Sequence, residues 1–96
     1  MAVESRLQSD IVKWLRQKGC YVLTITARPG IPDGCPDVIA LVAGGGWIAL
    51  EVKKGPNEKF QPLQKPTIKK LDAMYFSRAV WPQNWAEVKK ELLAII

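Results

Sequence analysis

Gly34-Cys35-Pro36-Asp37 is followed, fourteen residues after its aspartate, by Glu51-Val52-Lys53, with Gly44-Gly45-Gly46 between them. Two carboxylates and a lysine on either side of a glycine turn are the residue types needed to hold a divalent cation against a phosphodiester. Hydrolysis of that bond requires an attacking hydroxide, neutralisation of charge at phosphorus and help for the leaving oxygen. Mg2+ is hard and octahedral, and takes one or two protein carboxylates plus waters and phosphate oxygens at roughly 2.1 Å. Mn2+ accepts the same oxygen donors. Asp37 and Glu51 have this ligand chemistry, and the backbone carbonyl of Val52 is a candidate third donor. Lys53 is the candidate to orient a water and counter the phosphate charge. Each motif alone is ordinary, because Pro-Asp before a strand is turn chemistry and Glu-x-Lys on a strand is a common surface pair. Their order on neighbouring strands carries the reading.

Composition removes most rival chemistries. The chain has no histidine, which excludes Ser-His-Asp hydrolysis and the usual zinc centres. Cys20 and Cys35 are too few for a disulfide framework and too far apart for a CxxC site. Ninety-six residues, 48% hydrophobic with four tryptophans, predict one globular domain over residues 1–96 with a single core. No apolar run approaches the roughly 20 residues that cross a bilayer, and Met1 to Asp10 is too polar for a signal peptide. No membrane partner is expected, and the expected compartment is the cytoplasm. Fourteen basic residues against nine acidic ones give a net charge of +5, which favours a polyanionic partner. From Lys53 to Lys70 there are six lysines and one acid, Glu58. On composition alone that run is equally a solvated loop and helix face.

Positioning the two motifs requires a specific order of elements. Residues 3–18 read as an amphipathic helix in which Glu4, Leu7, Ile11 and Leu15 share a stripe, with Gly19 as its stop. Glu4 is the exception on that inward stripe; a first-turn glutamate is also favoured by the helix dipole. Strands are predicted over 20–26, 38–43 and 47–53, the last two forming a hairpin about the glycines. A tight turn centred on Gly45 sets Asp37 opposite Lys53, with Glu51 its diagonal neighbour on the same face. A one-residue slip would send the carboxylates to opposite faces. Ile48, Leu50 and Val52 are then core-facing. A helix beginning near Pro62 or Thr67 and ending near Tyr75 is expected to bury Leu63, Ile68, Leu71 and Met74 or Tyr75, with Pro66 disturbing its first turns. An edge strand over 78–81 and a helix started by an Asn84–Glu87 box complete the chain. Trp85, Val88, Leu92 and Ile95 line the inner face of that last helix.

The succession Glu4, Gly34-Cys35-Pro36-Asp37, Glu51-Val52-Lys53 and Gln64 resembles the PD-(D/E)xK nuclease superfamily. More narrowly, it resembles the VRR-Nuc domains, which occur alone in phages and bacteria and attached to larger repair nucleases. The resemblance spans nearly the whole chain, and GxPD is a more specific motif than ExK. It implies an α/β, restriction-endonuclease-like αβββαβα core with a central mixed sheet flanked by helices. It also implies a Mg2+- or Mn2+-dependent endodeoxyribonuclease, cutting branched DNA such as a Holliday junction, in a bacterial cell or phage-infected host. By the same resemblance Asp37 and Glu51 hold the metal, Glu4 reaches it directly or through water, and Lys53 serves catalysis. Gln64, preferred over Gln61, touches the active site or substrate.

Stand-alone members resemble homodimeric Holliday-junction resolvases, and symmetric cutting of two strands requires two sites related by a two-fold axis. Trp81, Trp85 and Ile96 are candidates for that interface or for the core, the core being preferred for Trp85. DNA contacts to phosphates are expected from Arg28, Lys54, Lys59, Lys65, Lys69 and Lys70, which position a duplex without reading sequence. Two other classes remain open on sequence alone. One is a DNA-binding module of the same fold without catalysis; the other is a small basic assembly protein whose carboxylates form surface ion pairs.

Overall fold

Helix α1 (Val3–Gln17) owes its position to an apolar stripe, and Leu7, Ile11, Val12 and Leu15 of that stripe are buried. The computed structural model describes residues 2–96. Gly19, at φ +86°, turns the chain into β1 (Tyr21–Thr24). After a long loop come β2 (Val38–Leu41) and β3 (Trp47–Val52), then α2 (Gln64–Met74), β4 (Ser77–Val80) and α3 (Trp85–Leu93). The order αβββαβα is as expected.

The four strands form one mixed sheet in the order β1-β2-β3-β4, antiparallel except for the parallel β3–β4 pair joined through α2. α1 and α3 share one face, where Trp14 and Trp85 meet edge to face with centroids 5.5 Å apart. Ile48, Leu50 and Val52 point into this core beside Val38, Ala40, Val80, Val88 and Leu92. Trp85 packs against that core, and Ile95 completes it at half burial. α2 lies on the opposite face, over β3 and β4 only.

The hairpin differs from the expected register by two residues. Val38 lies across from Leu50 and Leu41 from Trp47, so Asp37 continues the ladder opposite Glu51 rather than Lys53. The turn closes between Val42 and Gly46, with Val42 N–H donating to the Gly46 carbonyl at 3.1 Å, which centres it on Gly44 instead of Gly45. All three glycines there have positive φ, so the tight reversal sits one residue earlier than a symmetric reading of the glycines implies. A two-residue shift preserves the face of every side chain, and the two carboxylates stay together.

Two further expectations are corrected. No α2 residue is buried among the described residues: Leu63 and Met74 are exposed, Tyr75 is largely so, and Ile68 and Leu71 are half-buried. The helix rests on the polar Glu51–Lys53 row and the edge strand, so its apolar side meets less core than periodicity suggests. The Asn84–Glu87 box does not form either. Asn84 accepts from Trp81 N–H and donates to the Ala79 carbonyl, tying α3 back to β4 instead of capping α3. Pro66 is the third residue of α2, where a backbone N–H has no helical partner to lose. Arg78 binds Asp72 and Glu91 together, clamping α2 and α3 across the edge strand.

Candidate active site

The sheet pleat explains why Asp37 and Glu51 converge. Asp37 stands at the foot of β2, one ladder step below Val38, and its Oδ2 accepts from Val52 N–H at 2.8 Å. That bond pins the aspartate to β3 beside Glu51, a residue only 3% exposed. Burial and the facing Asp37 charge push the Glu51 carboxyl up to about 8. With both groups ionised, Glu51 Oε1 is buried without a hydrogen-bond donor; a proton shared with Asp37, or a cation, supplies what it lacks. An acid pair arranged in this way is costly unless something positive is held there.

Lys53 is the cation of this row and is only 4% exposed. Its Nζ lies 4.0 Å from Glu51 Oε2 and 3.6 Å from Glu58 Oε2, and donates to Gln64 Oε1 at 2.9 Å and the Lys59 carbonyl at 3.2 Å. The Phe60 ring closes over it at 4.7 Å. Gln64 is the brace between acid and base: its Nε2 donates to Glu51 Oε2 at 3.0 Å while its Oε1 also takes the Gln61 N–H at 2.7 Å. Gln61 therefore touches this row through its backbone. Burial of Glu51 and Lys53 is incompatible with an ordinary surface ion pair.

Glu58 and Phe60 were not singled out in the sequence. The only signal for Glu58 is that it is the sole acid among six lysines; Phe60 offered none, because its role depends on how the loop folds back. Glu4, half-buried in the first turn of α1, lies against Glu58. Burial, the Glu58 charge and a hydrogen bond to Glu58 raise Glu4, while Lys53 and Lys54 oppose the shift. Burial also acts against the charge of Glu58, but the Lys54 N–H, Lys53 and the bond from Glu4 hold it below the usual carboxylate range. In the pair, Glu4 is thus the group raised and Glu58 the group lowered. Glu4 is the smallest of the influences that raise Glu51, after burial and Asp37.

Among the described residues no three His, Cys, Asp or Glu side chains gather around one point. The candidate donors are instead Asp37 and Glu51, with the Val52 carbonyl adjacent in sequence. Mg2+ and Mn2+ suit such a set because they keep several waters and take few protein carboxylates. The unpartnered, buried Glu51 oxygen beside a second carboxylate fits a hard cation.

The 25–37 loop and the start of α2 enclose a cleft of about 490 Å3 lined by Arg28, Ile31, Cys35, Asp37, Gln61 and Gln64, among others. Burial and the charges of Glu51 and Asp37 raise the Cys35 thiol, which marks how near it stands to the acid pair. The cleft wall is fixed by a close approach. Gly34, at φ +80°, has no room for a side chain: a Cβ there would sit 2.6 Å from the Leu63 carbonyl oxygen. Leu63 itself holds a left-handed φ of 72° at the head of α2. Gly34→Ala is expected to cost about 2 kcal/mol in urea unfolding, from left-handed backbone and backbone collision together. Unchanged stability would show that this contact can relax freely.

Of the expected DNA-binding residues, all six are exposed. Arg28 lines the cleft itself, while Lys54 and Lys59 flank the Lys53–Glu58 pair. Lys65 and Lys69 border a second groove with Phe60 and Arg78, and Lys65 stacks over Phe60 at 5.2 Å. Lys70 stands on α2 near neither groove lining.

A mixed four-stranded sheet between helices, with an aspartate at the foot of one strand facing a buried Glu-x-Lys on the next, defines a restriction-endonuclease-like nuclease fold. A solved structure described as a "VRR_NUC domain" superposes on this chain with a TM-score of 0.76 at 19% sequence identity, covering 100% of both chains. The sequence profile of the family described as archaeal Holliday junction resolvase (Hjc) matches residues 4–93, and the chain belongs to that family. The match begins at Glu4 and ends at the last residue of α3, so it spans every element described above. No curated protein matches the sequence. Family and fold together make the protein a nuclease of the VRR-Nuc-like kind, acting on phosphodiester bonds.

Proposed function

We propose that the protein is a Mg2+- or Mn2+-dependent endodeoxyribonuclease that cuts branched DNA, the four-way Holliday junction foremost. The single observation carrying this reading is the buried, donorless Glu51 oxygen beside Asp37, braced by Gln64 and answered by Lys53. Asp37, Glu51 and the Val52 carbonyl would hold the cation, with Glu4 reaching it through water. When bound, such an ion activates a water and neutralises phosphate charge.

The chain's own residues do the rest. Lys53, held by Gln64 and the Lys59 carbonyl and paired with Glu58 and Glu51, would counter phosphate charge from within this row. Gln64 fixes the spacing of Lys53 and Glu51, which positions both groups before substrate arrives. Arg28 at the cleft and Lys54, Lys59, Lys65, Lys69 and Lys70 around it would grip phosphates. Their binding reads backbone shape more than base sequence, which supports structure selectivity. Homodimerisation supplies the second site that paired cutting needs. No helix of the described residues is long and apolar enough to cross a membrane.

A nicking assay on supercoiled plasmid and on a four-way junction, with Mg2+, Mn2+ or EDTA, tests the reading. Cleavage is expected with either ion and none in EDTA. Cutting that persists in EDTA would refute the metal mechanism.

A further inference from the structure

The two glutamines that line the active-site cleft are engaged very differently. Gln64 is fully occupied: its Nε2 donates to Glu51, and its Oε1 takes both the Lys53 ammonium and the Gln61 N–H. Gln61 gives only that backbone N–H, and its exposed side-chain amide bonds no protein group among the described residues. An amide left open in this way offers a donor and an acceptor side by side. The cleft it lines differs from a phosphate track. Ile25, Ala27, Ile31 and Pro32 give it apolar walls, and Arg28 is its one cation. At about 490 Å3 it falls among sites that take a largely apolar body and orient it with a few polar groups. Its shape is set before anything binds. Pro29, Pro32 and Pro36 restrict the loop. Ile31 N–H donates to the Arg28 carbonyl at 3.0 Å, Cys35 N–H donates to the Pro32 carbonyl at 3.2 Å, and Gly34 abuts the Leu63 backbone. Asp37 also lines the cleft, which therefore adjoins the acid pair.

We propose that this cleft receives one unstacked nucleobase beside the phosphate to be cut, and that the Gln61 amide reads its edge. The inference rests on the nuclease reading above and adds to it a preference for one nucleotide at the cut. Chemistry selects the occupant. A run of phosphates would meet two carboxylates, Asp33 and Asp37, for a single arginine. A base is uncharged, lays flat faces on the apolar walls and carries its hydrogen-bonding groups along its edge. Branched DNA supplies such a base readily, because unpaired nucleotides leave the stack with the smallest penalty. Adenine matches the reader: its N6 donates and its N7 accepts, a pairing that uses both atoms of a glutamine amide. Guanine presents two acceptors there, which suit an arginine instead. Arg28 is then left for the phosphate next to the base. The surrounding lysines grip any sequence, so shape selects the branch and one base selects the phosphate cut within it.

Four-way junctions with randomised nucleotides around the branch, cut in Mn2+ and sequenced at their new ends, read the preference. Adenine is expected at one fixed position flanking the cut, favoured about tenfold over the other bases, within the discrimination of a single two-bond pair. Gln61→Ala should flatten that preference. Gln61→Glu, which can only accept, should move it towards cytosine, whose N4 donates. The side chain is exposed, so both variants should keep the parent circular dichroism. Binding is read separately, without metal or cleavage. In EDTA, amide NMR of the isotope-labelled chain titrated with deoxyadenosine monophosphate should show shifts at Ile31, Cys35 and the Gln61 side-chain amide. Deoxycytidine monophosphate should shift them less, and inorganic phosphate should leave the Gln61 side chain unmoved. Equal cutting at all four bases, a guanine preference, a preference unchanged in Gln61→Ala, or an absence of nucleotide shifts in the cleft overturns the proposal. No cleavage of any junction, with those shifts present, would refute the nuclease reading while upholding the base site.

Discussion

Asp37→Asn will lower the rate of DNA cleavage by at least about 1,000-fold, equivalent to about 4 kcal/mol of transition-state stabilisation, while leaving the protein folded. The reason it stays folded is geometric. The asparagine oxygen can still accept the Val52 N–H that Asp37 takes at 2.8 Å, and its amide can donate to the buried Glu51 oxygen that has no donor. The substitution relieves charge repulsion at the price of the ligand, so thermal stability without metal should be kept or increased. Lys53→Met retains the stem under Phe60 but leaves Glu51 and Glu58 without their shared cation. It should lose cleavage comparably and lose stability as well, because a buried acid loses its partner. Rates measured on plasmid at saturating Mn2+, paired with thermal melts, separate the two. An Asp37→Asn enzyme retaining a tenth of the parent rate would remove Asp37 from the metal set.

The elements of this fold were legible because their signals are local. The α1 stripe, the triple glycine between apolar runs and the Trp85–Val88–Leu92 spacing each act within a few residues. The face shared by Asp37 and Glu51 was legible too, because parity in a strand survives a two-residue error in the turn. The resemblance to known nucleases pointed to Gln64, and the structure puts that side chain between Glu51 and Lys53. What escaped depends on contacts between distant segments. Glu58 and Phe60 lie in a polar loop whose composition says nothing about its folding back over Lys53. The flank of the sheet that α2 leaves uncovered, at β1 and β2, escaped for the same reason: periodicity makes a strand look half-buried on either face, and only the actual reach of α2 decides which rows stay open. Asn84 had the sequence of a cap but found better partners on β4.

Metal-free stability should fall as pH rises from about 4.5 to about 8, and a divalent cation should reverse that trend. Glu51 titrates near 4.5 when unfolded but is pushed up to about 8 in the folded chain by burial and by Asp37. Below the lower value both states hold the proton and nothing is lost. Between the two, the unfolded chain releases a proton that the folded chain keeps, so each pH unit favours unfolding by up to about 1.4 kcal/mol. Above the upper value both states are ionised and the loss is complete. Glu4, raised as well, contributes in the same sense, whereas Glu58, held low, contributes stability that is lost on acidification. Subtracting the profile of Glu51→Gln, which cannot ionise, isolates the Glu51 contribution from both. A cation between Asp37 and Glu51 binds their ionised forms, so its stabilisation should grow with pH, reaching about 2.7 kcal/mol at a hundredfold excess over its dissociation constant. Urea unfolding with EDTA and with Mn2+ across pH 5 to about 8.5, the span of the Glu51 shift, reads both effects. A metal-free profile that is flat, or that Glu51→Gln leaves unchanged, would mean the two carboxylates do not share the buried space in solution; a cation gain independent of pH would mean the ion binds elsewhere.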